Sequence, residues 1–297
     1  VLSTTLNNGT TFIKQTNSGT AKLSMGVITF TGGAIDFSAA AIATTSTGVT
    51  NGILSQGATV AGANFAMKSG SDIVAYDYVT SGVTGYTGTA MSANINYALQ
   101  TAGGANTLAA TTGATTNTLK IANTATGSLA VGATTLTVGA ILFTGSADYN
   151  ITTSGAGKIT PSLLHNYGAG TLTLGALGGS LTQFGTGKTI LNNNATTNST
   201  VNVNGGTVQF SSNAQIGTNS GVVVITLNNG TLLANTAGGN IALNNAGSNS
   251  RNIALGAGGG TLDVIGGNTL TVSGVISGVG NPLTIGSGST NGTVTLT

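Results

Sequence analysis

Cysteine, tryptophan and glutamate are missing from this chain, and proline occurs only twice in 297 residues. Without cysteine there is neither a disulfide framework nor a thiolate metal site, a usage that suits export through an oxidising compartment. Charge is nearly as scarce. Five aspartates and seven cations make up 4% of the chain, whereas an ordinary globular domain is about a quarter charged. The isoelectric point near 9 therefore carries little. Lys14, Lys22, Lys68, Lys120, Lys158, Lys188 and Arg251 stand singly, and nucleic-acid binding draws on clustered cations, so no nucleic-acid partner is expected. Apolar runs stay short of a membrane-crossing helix, and no membrane span is expected in this chain. Aromatic residues amount to 4%, too few for the aromatic core of a β-sandwich or the blade signatures of a propeller.

What remains is glycine, 49 residues of it, with threonine, alanine, asparagine and serine. Disorder couples low hydrophobicity to high net charge. Here mean hydropathy is positive and the net charge only +2, so the chain reads as ordered. Alternation with a period of two recurs from end to end, as in Val27-Ile-Thr-Phe30, Thr134-Thr-Leu-Thr-Val138, Thr171-Leu-Thr-Leu174 and Thr269-Leu-Thr-Val272. Each run is followed by Gly, Asn or Ser, which accept turn conformations. Only residues 90–100 could form a short helix. The expected class is all-β.

Repetition selects the architecture. Leu-Asn-Asn-Gly-Thr occurs at Leu6–Thr10 and again at Leu227–Thr231, and a Gly-Thr turn launches a strand at Thr171, Thr207, Thr231, Thr261 and Thr293, separated by 36, 24, 30 and 32 residues. Short strands, aliphatic inward positions and turns of variable length are the pattern of a single-stranded parallel β-helix, or β-solenoid. We expect one continuous coil over 1–297, right-handed, with loop or cap insertions in a less regular part at 61–130 and the most regular repeats at 165–297. Asparagine amides at the turns are expected to stack from coil to coil as ladders.

Gly266-Gly-Asn-Thr-Leu-Thr-Val-Ser-Gly-Val-Ile-Ser-Gly278, Gly168-Ala-Gly-Thr-Leu-Thr-Leu174 and Gly205-Gly-Thr-Val-Gln-Phe210 resemble the autotransporter-associated β-strand repeat of bacterial passenger domains. The resemblance covers roughly 165–297 and is looser over 1–164. It implies a secreted, surface-attached parallel β-helix. Two features depart from that pattern: the Asn-Thr-Tyr-Thr-Gly-Gly continuation after the last repeat is missing, and so is a C-terminal membrane barrel. A chain beginning at Val1 rather than Met reads as one that has lost a leader, or as a piece of a longer protein.

Signals for chemistry are sparse. Gly185-Thr-Gly-Lys-Thr189 looks like the end of a phosphate-binding loop, but Thr182 stands where that loop needs glycine and no helix follows, so a turn before a strand is expected. Of the five aspartates only Asp72 and Asp77 are close in sequence, and their odd spacing puts them on opposite faces of a strand. Acid–base or Ca²⁺ chemistry on a β-helix needs clustered acids. His165 is the single histidine, with no nucleophile motif beside it. No enzyme activity, cofactor or metal is expected.

Tyr76, Tyr78, Tyr86 and Tyr97 fall within 22 positions and mark either a contact surface for a neighbour or a glycan, or a cap over the coil. The uncharged ends, with Val1, Leu2 and Leu6 at one and Val294 and Leu296 at the other, are candidate interfaces, because an open solenoid end invites pairing with another chain. The expected role is a secreted structural protein of the cell surface or matrix that associates with itself head to tail. Alternatives are a monomeric adhesin that binds glycans or cells, and an ice-binding surface built on Thr-x-Thr arrays.

Overall fold

A computed structural model describes residues 1–297 except 17–18, 87–90, 100–103, 108–112, 196–198, 218–222, 237–238, 246–248 and 287–291. It is 54% strand and 3% helix, a parallel β-solenoid of about 11 turns. Within the described residues from 83 onward, each rung sends one strand into a ten-stranded parallel sheet and the next into a nine-stranded one. Leu119 lies opposite Ile141, which lies opposite Leu164. In the second sheet the column runs Leu172, Thr189, Val208, Leu232 and Leu262. All eight are fully buried.

The local cause is the pleat. In Thr171–Leu174 both leucines are buried and both threonines half-exposed, because successive side chains on a strand point to opposite faces. Threonine keeps β propensity where it faces outward, and each buried leucine contributes about 1.5–3 kcal/mol of burial free energy. A third wall, Asn240–Ala242, Thr269–Val272 and Thr293–Leu296, closes the coil toward its C-terminal end.

The Gly-Thr spacings now have a geometric meaning. Thr207 lies opposite Thr231 and Thr231 opposite Thr261, so the 24- and 30-residue intervals are single rungs. The 36-residue interval is two rungs, with Lys188 paired between Thr171 and Thr207. Thr293 belongs to the third wall, opposite Thr269.

Asparagines tie rungs together, once amide to amide, where Asn117 Nδ2 donates to Asn96 Oδ1 at 2.7 Å, and elsewhere through backbone carbonyls and hydroxyls. Asn123 Nδ2 donates to the carbonyls of Ala125 and Ala147 at 2.9 Å. The buried Asn166 gives its Nδ2 to Lys188 O at 3.0 Å and Thr189 Oγ1 at 2.9 Å, and its Oδ1 accepts from Gly168 N. Corner carbonyls that a tight bend leaves without a strand partner are satisfied in this way.

The expectation of one continuous coil from 1 to 297 is corrected. Strands β1 (Ser3–Leu6), β2 (Gly9–Ile13) and β3 (Leu23–Ser24) form a first rung, and β4 (Val27–Phe30), β5 (Gly33–Phe37) and β6 (Ala43–Thr44) stack on it in parallel. β7 (Ala58–Val60) adds to β5, and there the stacking stops. Ala61 and Gly62 take φ of 56° and 58°, and Ala63 N donates to Val60 O at 3.0 Å. Two consecutive positive φ values close a tight hairpin turn, held by Gly62 N donating to Asp36 Oδ1 at 2.7 Å. The chain reverses into β8 (Asn64–Ser69), antiparallel to β7 and to β9 (Asp72–Ala75). Helix α1 (Tyr78–Ser81), N-capped by Asp77, then leads into the long coil. Among the described residues no strand of 1–75 joins the sheets of the long coil, and this N-terminal unit has its own apolar core, including Met25, Ile35, Phe37 and Leu54. Within 90–100, the one stretch that could make a short helix, Asn96–Leu99 is a strand, with Tyr97 opposite Leu119.

Candidate functional site

The N-terminal unit lies on the outer face of the ten-stranded sheet. Leu142, His165 and Phe184 are register neighbours on that face, one position off the inward Ile141 and Leu164, yet all three are fully buried. An apolar cluster of Ile53, Phe65, Tyr76, Tyr78, Ala140 and Leu142 fills the seam. Phe65 meets the His165 ring edge-on with centroids 5.8 Å apart, and Phe184 stacks on it at 5.4 Å. At the bend of the long strands Gln56 Nε2 donates to Asn117 Oδ1 at 2.9 Å. A methyl at Gly139 would lie 1.9 Å from that nitrogen, so glycine there admits the glutamine.

Burial governs the seam's titrating groups. His165 is held down at about 4, because desolvation disfavours the imidazolium more than the Gln56 carbonyl favours it. Burial pushes Tyr167 up to about 12 and raises Tyr78. Asp36 is raised by burial too, against the opposing bonds from Thr59 and Gly62. Lys120 is lowered by burial; its Nζ donates to Asn64 Oδ1 at 2.6 Å and sits 5.5 Å above the Tyr78 ring.

Two of the four tyrosines form a contact within the chain. Tyr76 and Tyr78 are buried in the seam, edge to face with centroids 4.9 Å apart. Tyr97 is in the core of the long coil, its hydroxyl accepting from Ser92 N at 3.0 Å. Tyr86 lies on the strand Val83–Tyr86 opposite Leu99, and its side chain lies outside the described residues. Of the candidate end residues, Val1 and Leu2 are exposed, Leu296 is half-exposed at 52%, and Val294 packs against the core. Leu6 is corrected: it is 5% exposed and belongs to the core of the N-terminal unit, because the last residue of β1 points inward.

No acid pair forms between the sequence neighbours. Asp72 bonds Lys22 at 2.7 Å, and Asp77 caps α1, accepting from Val79 N and Thr80 Oγ1. Among the described residues no group of three potential metal ligands assembles, and no helix is long and apolar enough to cross a membrane. Within Gly185–Thr189, Thr186 and Gly187 turn the chain between the strands Leu181–Gly185 and Lys188–Leu191.

The seam was missed in the sequence, although a signal was present. Ala140-Ile-Leu-Phe143 is an unbroken apolar run, the mark of a strand covered on both faces. Two clefts open along the seam and meet at Gly32 and Leu163, of about 580 and about 410 Å3. Comparison of the chain with family models, with curated proteins and with solved structures finds no match.

Proposed function

We propose that this chain is a structural protein of the cell exterior, built into a fibre, sheath or matrix by head-to-tail stacking of solenoid ends. The observation that carries the reading is that both end rungs present ready-made strand edges. β1, β2 and β3 each border their sheets, as do Ile276–Ser277, Leu283–Ile285 and Thr293–Leu296 at the other end. Thr293 N and Thr297 N donate back to Asn268 O and Thr271's neighbour Val272 O. Alternation therefore turns the backbone groups of Val294 and Leu296 to the open side. In β1, Leu2 O and Leu6 O accept from Val27 N and Thr31 N, leaving Ser3 and Thr5 facing outward. No charged residue lies in 1–13 or 265–297, the usual guard against edge pairing. Heterologous stacking of this kind generates open filaments. The absence of cysteine and the resemblance to autotransporter-associated repeats support a place outside the cell.

Negative-stain images of the purified chain should show filaments. Thr5→Pro and Leu296→Pro each remove an outward N–H at an edge that tolerates proline, and each should leave monodisperse short particles. Filaments from both variants would overturn the reading.

A further inference from the structure

We infer that the seam between the N-terminal unit and the long coil is a binding groove for a neutral polysaccharide chain. This goes beyond the assembly reading and does not depend on it. Among the described residues no charged side chain lines the two clefts that meet at Gly32 and Leu163. One wall is a column of side chains on the sheet face: Thr182 lies opposite Asn202, and Asn202 opposite Thr226, with Asn202 Nδ2 donating to Thr182 Oγ1 at 3.2 Å. These positions repeat once per rung, about 4.8 Å apart, close to the advance of one pyranose unit along an extended chain. Asn8 lines the facing wall. At the far end Phe30 lines the other cleft, offering an aromatic surface to the apolar face of a sugar ring.

The chemistry selects the occupant. Side-chain amides both donate and accept, and hydroxyls do the same, which matches the vicinal hydroxyls of a sugar. Phosphate and sulfate esters call for cations, and none lines either cleft. An extended peptide would need an open strand edge, whereas this wall is the face of interior strands. Each cleft is within the volume range of ligand sites, roughly 300–1,000 Å3.

Calorimetric titration of the full chain with cello-, xylo-, manno- and laminari-hexaose tests this, run beside heparin and polygalacturonate hexamers at high salt, which screens scattered cations. At least one neutral hexaose should bind, and the anionic hexamers should not. Asn202→Ala combined with Thr226→Ala should weaken that binding roughly tenfold, the loss of about two net hydrogen bonds. Both side chains are partly exposed, and a far-ultraviolet spectrum checks that the variant keeps its β structure. Val79→Ser, on the exposed face of α1, should bind as the parent does. Failure of every neutral hexaose to bind, binding of the anionic hexamers alone, or unchanged binding by the double variant would each overturn the groove. Filament formation is scored separately by microscopy, so either idea can fall without the other.

Discussion

His165 Nε2 lies 2.8 Å from the carbonyl oxygen of Gln56, joining positions 109 residues apart in the chain. A carbonyl only accepts, so Nε2 carries a proton, and burial, which holds the ring's pKa down at about 4, keeps it neutral at pH 7. The single histidine thus fastens the N-terminal unit to the outer face of the coil, buried among Phe65, Phe184 and Tyr167.

That burial makes docking sensitive to acid. Unfolded, the imidazole takes a proton near its ordinary 6.5, but folded only near 4. The unfolded state therefore binds more protons in between, and stability is full above about 6.5 and falls toward pH 4. The loss is on the order of 3 kcal/mol. Asp36, raised by burial, works in the opposite direction. Comparing denaturation of the parent and of His165→Gln across pH 4–7 isolates the imidazole, and the variant should show the flatter profile.

Phe65 is fully buried in the seam and outside both main cores. Phe65→Ala should weaken docking by about 3–5 kcal/mol while the rungs of the long coil stay intact. Limited proteolysis should then cut within residues 1–82 and leave a resistant C-terminal fragment. Leu164→Ala, inside the coil, should instead expose the long coil itself.

Gly139→Ala forces a methyl to within 1.9 Å of Gln56 Nε2 and 2.5 Å of Asn117 O. The expected loss is about 1–3 kcal/mol. Adding Gln56→Ala removes the first clash but leaves the backbone one, so a double-mutant cycle in urea should recover only part of the loss.

Asn166→Ala leaves the Lys188 carbonyl and the Gly168 amide without their side-chain partner at a buried corner. Urea denaturation should register a loss of about 1–3 kcal/mol for each group left unsatisfied. By contrast Lys22→Ala, at the partly exposed pair with Asp72, should change stability by less than about 1 kcal/mol.

Strand class and parallel stacking were legible because each depends on local alternation and on turn residues spaced by rungs. Thr207, Thr231 and Thr261 announce their stacking directly. Lys188 hid one rung, because a lysine can occupy the same outward position as a threonine without a Gly-Thr turn before it. Tyr76 and Tyr78 lie in an internal seam and Tyr97 in the coil core, places that composition cannot tell from an external surface. Leu6 was misread because its place at the chain end outweighed the pleat that turns it inward.

Sequence by itself determined that the backbone would wind into rungs: alternating aliphatic and threonine positions leave one face to bury, and glycine and asparagine supply the corners. Tertiary structure alone decided that the winding breaks at Ala61 and Gly62, and that the severed N-terminal unit folds onto Leu142, His165 and Phe184. Alternation acts between neighbours a few residues apart, whereas the docking joins residues 56 to 194 positions apart, whose fit depends on surfaces that exist only after both have folded.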